Sequence, residues 1–227
     1  GRYSLISIIQ RRIINFWCKI VSGKKSKYAS ILYNLTRKMH DDTSNPFNSK
    51  WISNVKNILD YSGLGHFWIN QNNINPNGVK QTISQRLHDI DKQNWFSEVQ
   101  NNSCCTNYRI FKTELTFENY LIKLTFSDRI ALCRFRSGNI KLPSNVGRFN
   151  NNSVDITCKV CNLNVTGDEY HYIFVCNAFD TQRDNLLSFN FTSNHRSSKM
   201  SDLFNSKDTL TLLKLAKFTK IISCKFQ

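Results

Sequence analysis

Three cysteines and a histidine stand in the pattern Cys158-x2-Cys161-x9-His171-x4-Cys176. Two thiols separated by two residues sit on one tight turn and can grip one ion. The histidine and third cysteine follow closely enough to complete a set of four soft or borderline donors. Thiolate sulfur and neutral imidazole nitrogen in that number suit a tetrahedral zinc. Four protein ligands leave no position open for water or substrate, so the expected role of the ion is structural.

The surrounding residues refine this expectation. Thr166-Gly-Asp-Glu169 reads as a capping box that starts a short helix, with His171 in its first turn. Cys176 lies five positions on, about 140° round an ideal helix, so both side chains reach one ion only if the helix tightens or ends between them. Phe174 and Val175 would then wall the metal from water. The alternative reading is three buried cysteines and a core histidine, since free cysteines are common in cores. A disulfide framework fits less well. Nothing at the N-terminus reads as a signal peptide, and Cys18, Cys104, Cys105, Cys133 and Cys224 show no framework spacing. An intracellular setting, nuclear or cytoplasmic and not secreted, is therefore expected.

The elements that must position these ligands are mainly helical. The chain has 227 residues, with only three Pro and eight Gly, which argues against a turn-dense all-β fold. Sixteen Phe, eight Tyr and four Trp supply bulky core material. Apolar residues recur at helical spacing over 5–21 (Ile6, Ile9, Ile13, Phe16, Trp17, Ile20) and over 26–39 (Ala29, Ile31, Leu32, Leu35). These two segments predict a helical hairpin. Further helices are predicted over 48–61 and 80–99, the latter with Ile83, Leu87, Ile90 and Phe96 inward. Residues 108–111 read as a short strand or the lead-in to a helix, and residues 116–123, 127–135, 180–189 and 208–222 as helices. In 127–135 the pattern puts Ile130, Ala131, Cys133 and Phe135 inward and Arg129, Arg134 and, just beyond, Arg136 outward. In the last helix Leu210, Leu213 and Ile221 mark the apolar side, and Lys214, Lys217 and Lys220 form a basic ridge. The polar break over 101–107 predicts a boundary near residue 104. The fold expected is thus helical hairpins packed into a bundle over 1–104, then a zinc-knuckle module with short strands and a short helix within 105–227. Asp41-Asp42 ends a helix and runs into a turn, which suits solvent better than metal-dependent catalysis.

The formal charge is +15. That excess favours a polyanion, nucleic acid before an acidic membrane surface, although it also serves solubility. No apolar run reaches the roughly 18 residues needed to span a bilayer. Arg134, Arg136, Lys141 and Arg148 lie just before the ligand segment and Lys159 lies inside it. These five are the candidate phosphate contacts. Phe135, Phe149 and Tyr170 are candidates for stacking on unpaired bases, with Phe135 better suited to the core.

Several short motifs follow one another in order: Tyr108-Arg-Ile-Phe-Lys112, Glu118-Asn-Tyr-Leu121, Arg134-Phe-Arg-Ser-Gly138, Leu142-Pro143, Gly147-Arg148, the Cys-x-x-Cys pair, and Gly167-Asp-Glu-Tyr-His-Tyr-Ile-Phe-Val-Cys176. This succession resembles the C-terminal region of reverse transcriptases from LINE-type (non-LTR) retrotransposons of invertebrate animals. The resemblance is most specific from Tyr108 to Cys176. It implies a segment downstream of a polymerase core, with the catalytic aspartates upstream and outside this chain. It also implies that Cys158, Cys161, His171 and Cys176 bind zinc. The region would hold template RNA or target DNA during target-primed reverse transcription. One position departs from the pattern: Ile140 stands where many such proteins carry His two residues after the Gly, so a decayed element copy is a further possibility.

Two other classes of function compete with this reading. A scaffold that docks on a polymerase without touching nucleic acid would suit the apolar N-terminal hairpin. Independent catalysis lacks its motifs. A zinc deaminase needs His-x-Glu before Pro-Cys-x-x-Cys, and a metalloprotease needs His-Glu-x-x-His; neither occurs. The chain is expected not to be an enzyme by itself.

Overall fold

The computed structural model describes all residues except 1–3, 24–25, 43, 45, 72–73, 150–154, 188–193 and 227, and all their side chains except those of Arg148 and Phe149. The fold is mainly helical. It divides into two compact units, Arg2–Asn94 and Trp95–Gln227. The division falls inside one long helix rather than at the polar break beyond it. That helix runs from Pro76 to Asn101, because Pro suits the first turn of a helix, where its missing N–H is not needed.

In the first unit, α1 (Leu5–Val21), α2 (Lys27–Asp41) and α3 (Lys50–Tyr61) precede a single helical turn, α4 (His66–Ile69), and the long α5 (Pro76–Asn101). Serine hydroxyls cap the first three: Ser4, Ser26 and Ser49 each accept from an amide of the first turn. Gly23, at φ +69°, turns the chain out of α1. The core joins Ile14, Trp17 and Cys18 to Ile52, Val55, Leu59, Ile83 and Leu87. A polar chain runs through it. Trp17 Nε1 donates to Tyr33 Oη at 2.9 Å, Tyr33 donates to Gln71 Oε1 at 2.7 Å, and Gln71 Nε2 donates to the Trp68 carbonyl at 2.9 Å. Each buried donor is thereby satisfied. α2 departs from its expected face: Tyr33 is its one buried residue, whereas Leu32 and Leu35 are 66% and 55% exposed.

The second unit continues with α6 (Tyr108–Phe111), α7 (Tyr120–Lys123), α8 (Phe126–Arg136) and α9 (Pro143–Phe149). After the ligand segment come α10 (Asp180–Leu186), α11 (Arg196–Phe204) and α12 (Thr209–Cys224). Residues 108–111 are thus helical, and α11 occupies a stretch whose polar sequence reads as loop. The expected short strands reduce to one antiparallel bridge, Thr157 with Thr166, among the described residues. α8 packs along α12. No helix among the described residues is long and apolar enough to cross a membrane.

The buried faces of α8 and α12 are rotated from those the sequence suggests. α8 buries Asp128, Leu132, Phe135 and Arg136, while Cys133 is exposed. α12 buries Leu212, Leu215, Ala216, Phe218, Thr219 and Ile222, and Leu210 is 58% exposed. Asp128 can lie inward because Lys220 Nζ donates to it at 2.6 Å and Thr125 caps the helix beside it.

Arg136 is the larger correction. It was expected to face solvent and phosphate, yet only 4% of its surface is exposed. Its Nη2 donates to Glu118 Oε1 at 2.9 Å and its Nη1 to the Phe204 carbonyl at 2.6 Å. The guanidinium lies over Phe111, Tyr120 and Phe204, at 4.5, 5.1 and 5.6 Å from the ring centroids. Lys112 completes the cluster, 3.0 Å from the same Glu118 oxygen. Arginine suits such a place because its planar, weakly hydrated cation both stacks and forks. Arg136→Ala is expected to destabilise the second unit by about 3–5 kcal/mol, since removing one partner strands the other buried charges. Denaturant unfolding of wild type and variant checks this; a change within about 0.5 kcal/mol would contradict it.

Candidate metal centre

The segment that carries the ligands is built from two turns. The first is closed by the Cys158 amide donating to the Val165 carbonyl at 2.8 Å and the Gly167 amide donating to the Ile156 carbonyl at 2.9 Å. Asn164, at φ +53°, makes the reversal, a conformation that Asn tolerates better than most residues. Within this turn the Val160 amide points at Cys158 Sγ, 3.4 Å away. Gly167 admits no side chain: a Cβ there would lie 2.6 Å from Tyr172 Oη and 3.3 Å from Cys158 Cα.

The second turn starts differently from the expected capping box. Asp168, not Thr166, caps it, its Oδ1 accepting from the His171 amide at 2.9 Å. Glu169 does not reach back to the cap. It is buried and accepts from the side-chain amides of Asn107 and, at 3.0 Å, Asn145. From His171 to Val175 the helix widens to a π-turn, in which the Cys176 amide donates to the His171 carbonyl at 2.7 Å. The sequence required a tightened or broken helix between His171 and Cys176. The wider turn solves the same problem in the opposite direction, since it brings residues five apart nearly above one another.

The result is one cluster. The Sγ atoms of Cys158, Cys161 and Cys176 and a ring nitrogen of His171 all lie within 4.8 Å of one another. Cys158 Sγ and Cys176 Sγ are 4.0 Å apart, and Cys161 Sγ is 3.4 Å from His171 Nε2. Cys158, His171 and Cys176 are buried and Cys161 partly so. Such a cluster can hold one metal ion.

Its electrostatics point the same way. Burial lowers the His171 pKa, so the imidazole stays neutral with Nε2 free to donate to a metal. Burial also pushes the Cys176 thiol up to about 12, and negative charge on Cys158 and Cys161 adds to the rise. At Cys158 burial is outweighed by hydrogen bonds to the sulfur, among them the Val160 amide, and its pKa falls. Deprotonated together, sulfurs this close would repel one another, and a cation between them would offset that repulsion.

Three residues that support the turns escaped the sequence reading. Arg183 donates from Nε to the Ile173 carbonyl and from Nη2 to the Cys176 carbonyl, each at 2.7 Å, and pairs with Asp180. A basic residue just after a helical turn is the mark that could have found it. Arg196 pairs with Asp168 and lies over the Tyr170 ring at 4.6 Å. Asn107 bridges Glu169 and Arg196. Arg196 and Asn107 are distant in sequence and left no local mark.

The candidate phosphate contacts divide. Arg134 and Lys141 are exposed and border one groove, with Lys220 of α12. Lys159 is exposed and paired with Asp155, four residues earlier. Arg136 belongs to the core, as does Phe135. The side chains of Arg148 and Phe149 lie outside the described residues.

Comparison with protein-family models, with curated proteins and with solved structures gave no match.

Cys161→Ser is expected to abolish binding of one metal ion per chain, read by native mass spectrometry; retained stoichiometry would mean a different ligand set. Metal affinity should rise with pH from about 6 to 8, because the Cys176 proton must leave before the sulfur can bind. Chelation should remove hydrogen-exchange protection over residues 155–187 and leave residues 4–94 unchanged. Equal protection with and without chelator would show that no metal supports the segment.

Proposed function

We propose that this chain is a non-catalytic nucleic-acid-binding segment whose metal centre holds a structural zinc. In this reading it is the C-terminal part of a LINE-type retrotransposon reverse transcriptase. The donor set supports zinc. A tetrahedral ion about 2.3 Å from sulfur and 2.0–2.1 Å from nitrogen has ligand–ligand edges of roughly 3.5–3.8 Å. The separations of 4.0 and 3.4 Å at the centre bracket that range. Bound zinc would cross-link the two turns through Cys158, Cys161, His171 and Cys176, and with all four positions taken it would offer no site to a substrate.

One observation carries the nucleic-acid reading. The basic loop and the ligand segment are hydrogen-bonded into one piece: the Ser144 amide donates to the Gly167 carbonyl at 3.2 Å, and Asn145 Nδ2 donates to both the Glu169 carboxylate and the Ile140 carbonyl. A metal that fixes Gly167 and Glu169 would thereby help fix the loop that presents Lys141, next to Arg134 at the end of α8. Template RNA and target DNA are the partners in view, with the polymerase core joined upstream.

A second reading has its own observation. Leu5 and Ile6 of α1 and Tyr28 and Leu32 of α2 are all more than 65% exposed, at 71%, 68%, 83% and 66%. Large apolar groups so exposed suit a protein contact. The first unit would then dock on the polymerase, and the chain would make no nucleic-acid contact of its own.

Titration of fluorescent RNA and DNA at rising salt tests the proposal. Affinity should fall steeply between about 50 and 200 mM salt, and Arg134→Ala and Lys141→Ala should each reduce the logarithmic salt slope by about one. Binding without salt dependence would overturn it. Co-purification with the polymerase core but no binding to nucleic acid would select the docking reading.

A further inference from the structure

The groove that Arg134 and Lys141 border is more than a basic edge. It has a volume of about 490 Å³, within the range of ligand sites. α8, the loop after it, α12 and the tail that follows all contribute. Ile130, Ile140 and Phe226 give it an apolar floor. Arg134, Lys141 and Lys220 stand round that floor, and no carboxylate side chain among the described residues lines it. Lys220 is partly engaged by Asp128, whereas Arg134 and Lys141 have no ion pair among the described residues. The Phe226 ring lies 4.9 Å from that of Tyr172, which is fully buried.

An apolar floor inside a rim of cations is complementary to a ligand with one flat apolar part and a neighbouring negative charge. We infer that the groove receives one unpaired base of a single-stranded nucleic acid, laid on Ile130, Ile140 and Phe226, while Arg134, Lys141 and Lys220 take the flanking phosphates. The inference rests on the nucleic-acid reading and adds selectivity to it. Paired bases hide their faces inside the stack, so a duplex can offer the rim its phosphates but cannot fill the floor.

The test uses the full metal-loaded chain and three fluorescent probes: an oligothymidine strand, an abasic strand with the same number of phosphates, and a duplex. The base-bearing strand should bind about 5- to 100-fold more tightly than the abasic one, the range expected for burying one base. Ile140→Asn should shrink that ratio and leave the salt slope unchanged. Cys224 lines the groove and is exposed, and Cys133 is exposed on α8 outside the groove lining. Oligothymidine should therefore slow alkylation of Cys224 relative to Cys133, measured by mass spectrometry, and the abasic strand should not. This readout needs no variant to fold. Equal affinity for the two strands, with Cys224 equally reactive, would overturn the groove assignment and leave phosphate binding standing. Protection of Cys224 by an acidic peptide instead of the strand would also overturn it. No binding of any probe would overturn the nucleic-acid reading together with the groove.

Discussion

Three sulfur atoms and an imidazole nitrogen within 4.8 Å form a constraint that the second unit must satisfy. Buried thiolates repel one another, and buried thiols gain little from such proximity. A cation at the centre resolves the conflict, and everything near it is arranged to hold four side chains at one point. The π-turn sets the separation of His171 from Cys176. The bridge between Thr157 and Thr166 closes the loop that carries Cys158 and Cys161. Gly167 is needed because the two turns approach each other too closely for a side chain.

Beside the hydrophobic core that holds Cys158, Cys176 and Tyr172 lies a set of polar groups, from the buried Asp168 and Glu169 to the exposed Arg196. Asp168, Glu169, Asn107, Asn145, Arg183 and Arg196 all bond within or next to the two turns. Networks of this kind rigidify a structure only when each member is satisfied. Here Glu169 has two amide donors, and Asp168 has one amide and one guanidinium. The same bonds reach outward to the loop before α9, so order at the ligand cluster extends to Asn145 and the stretch that presents Lys141.

Much of this was legible in the sequence, for a physical reason. Residues on adjacent turns are close in sequence, and the chemistry of thiol and imidazole is independent of fold, so type and spacing already group Cys158, Cys161, His171 and Cys176, which the structure brings into one cluster that could hold a metal. α1, whose apolar stripe is uninterrupted, was read with its observed limits, Leu5 and Val21. What could not be read depended on distant partners. Arg136 reads as a solvent residue until Glu118 is brought to it, and Asp128 turns inward only where Lys220 meets it. α11 was missed because its apolar residues, Met200, Leu203 and Phe204, crowd into its last turn behind a polar first half.

Arginine and lysine in this unit therefore take three different parts. Arg136 is a structural cation among three aromatic rings, and Lys112 belongs with it around Glu118. Arg183 and Arg196 brace the turns beside the ligands. Arg134 and Lys141 are left with their charge facing the groove. Net charge alone would count all of these alike as affinity for a polyanion. Burial and pairing divide them, because a cation already bonded to a carboxylate or a backbone carbonyl must lose those bonds before it can serve a phosphate. The effective basic surface is thus smaller than +15 suggests and more localised. A small basic surface binds weakly through charge alone, so in the proposed reading selectivity would come from what lies between the charges, the apolar side chains of Ile130, Ile140 and Phe226.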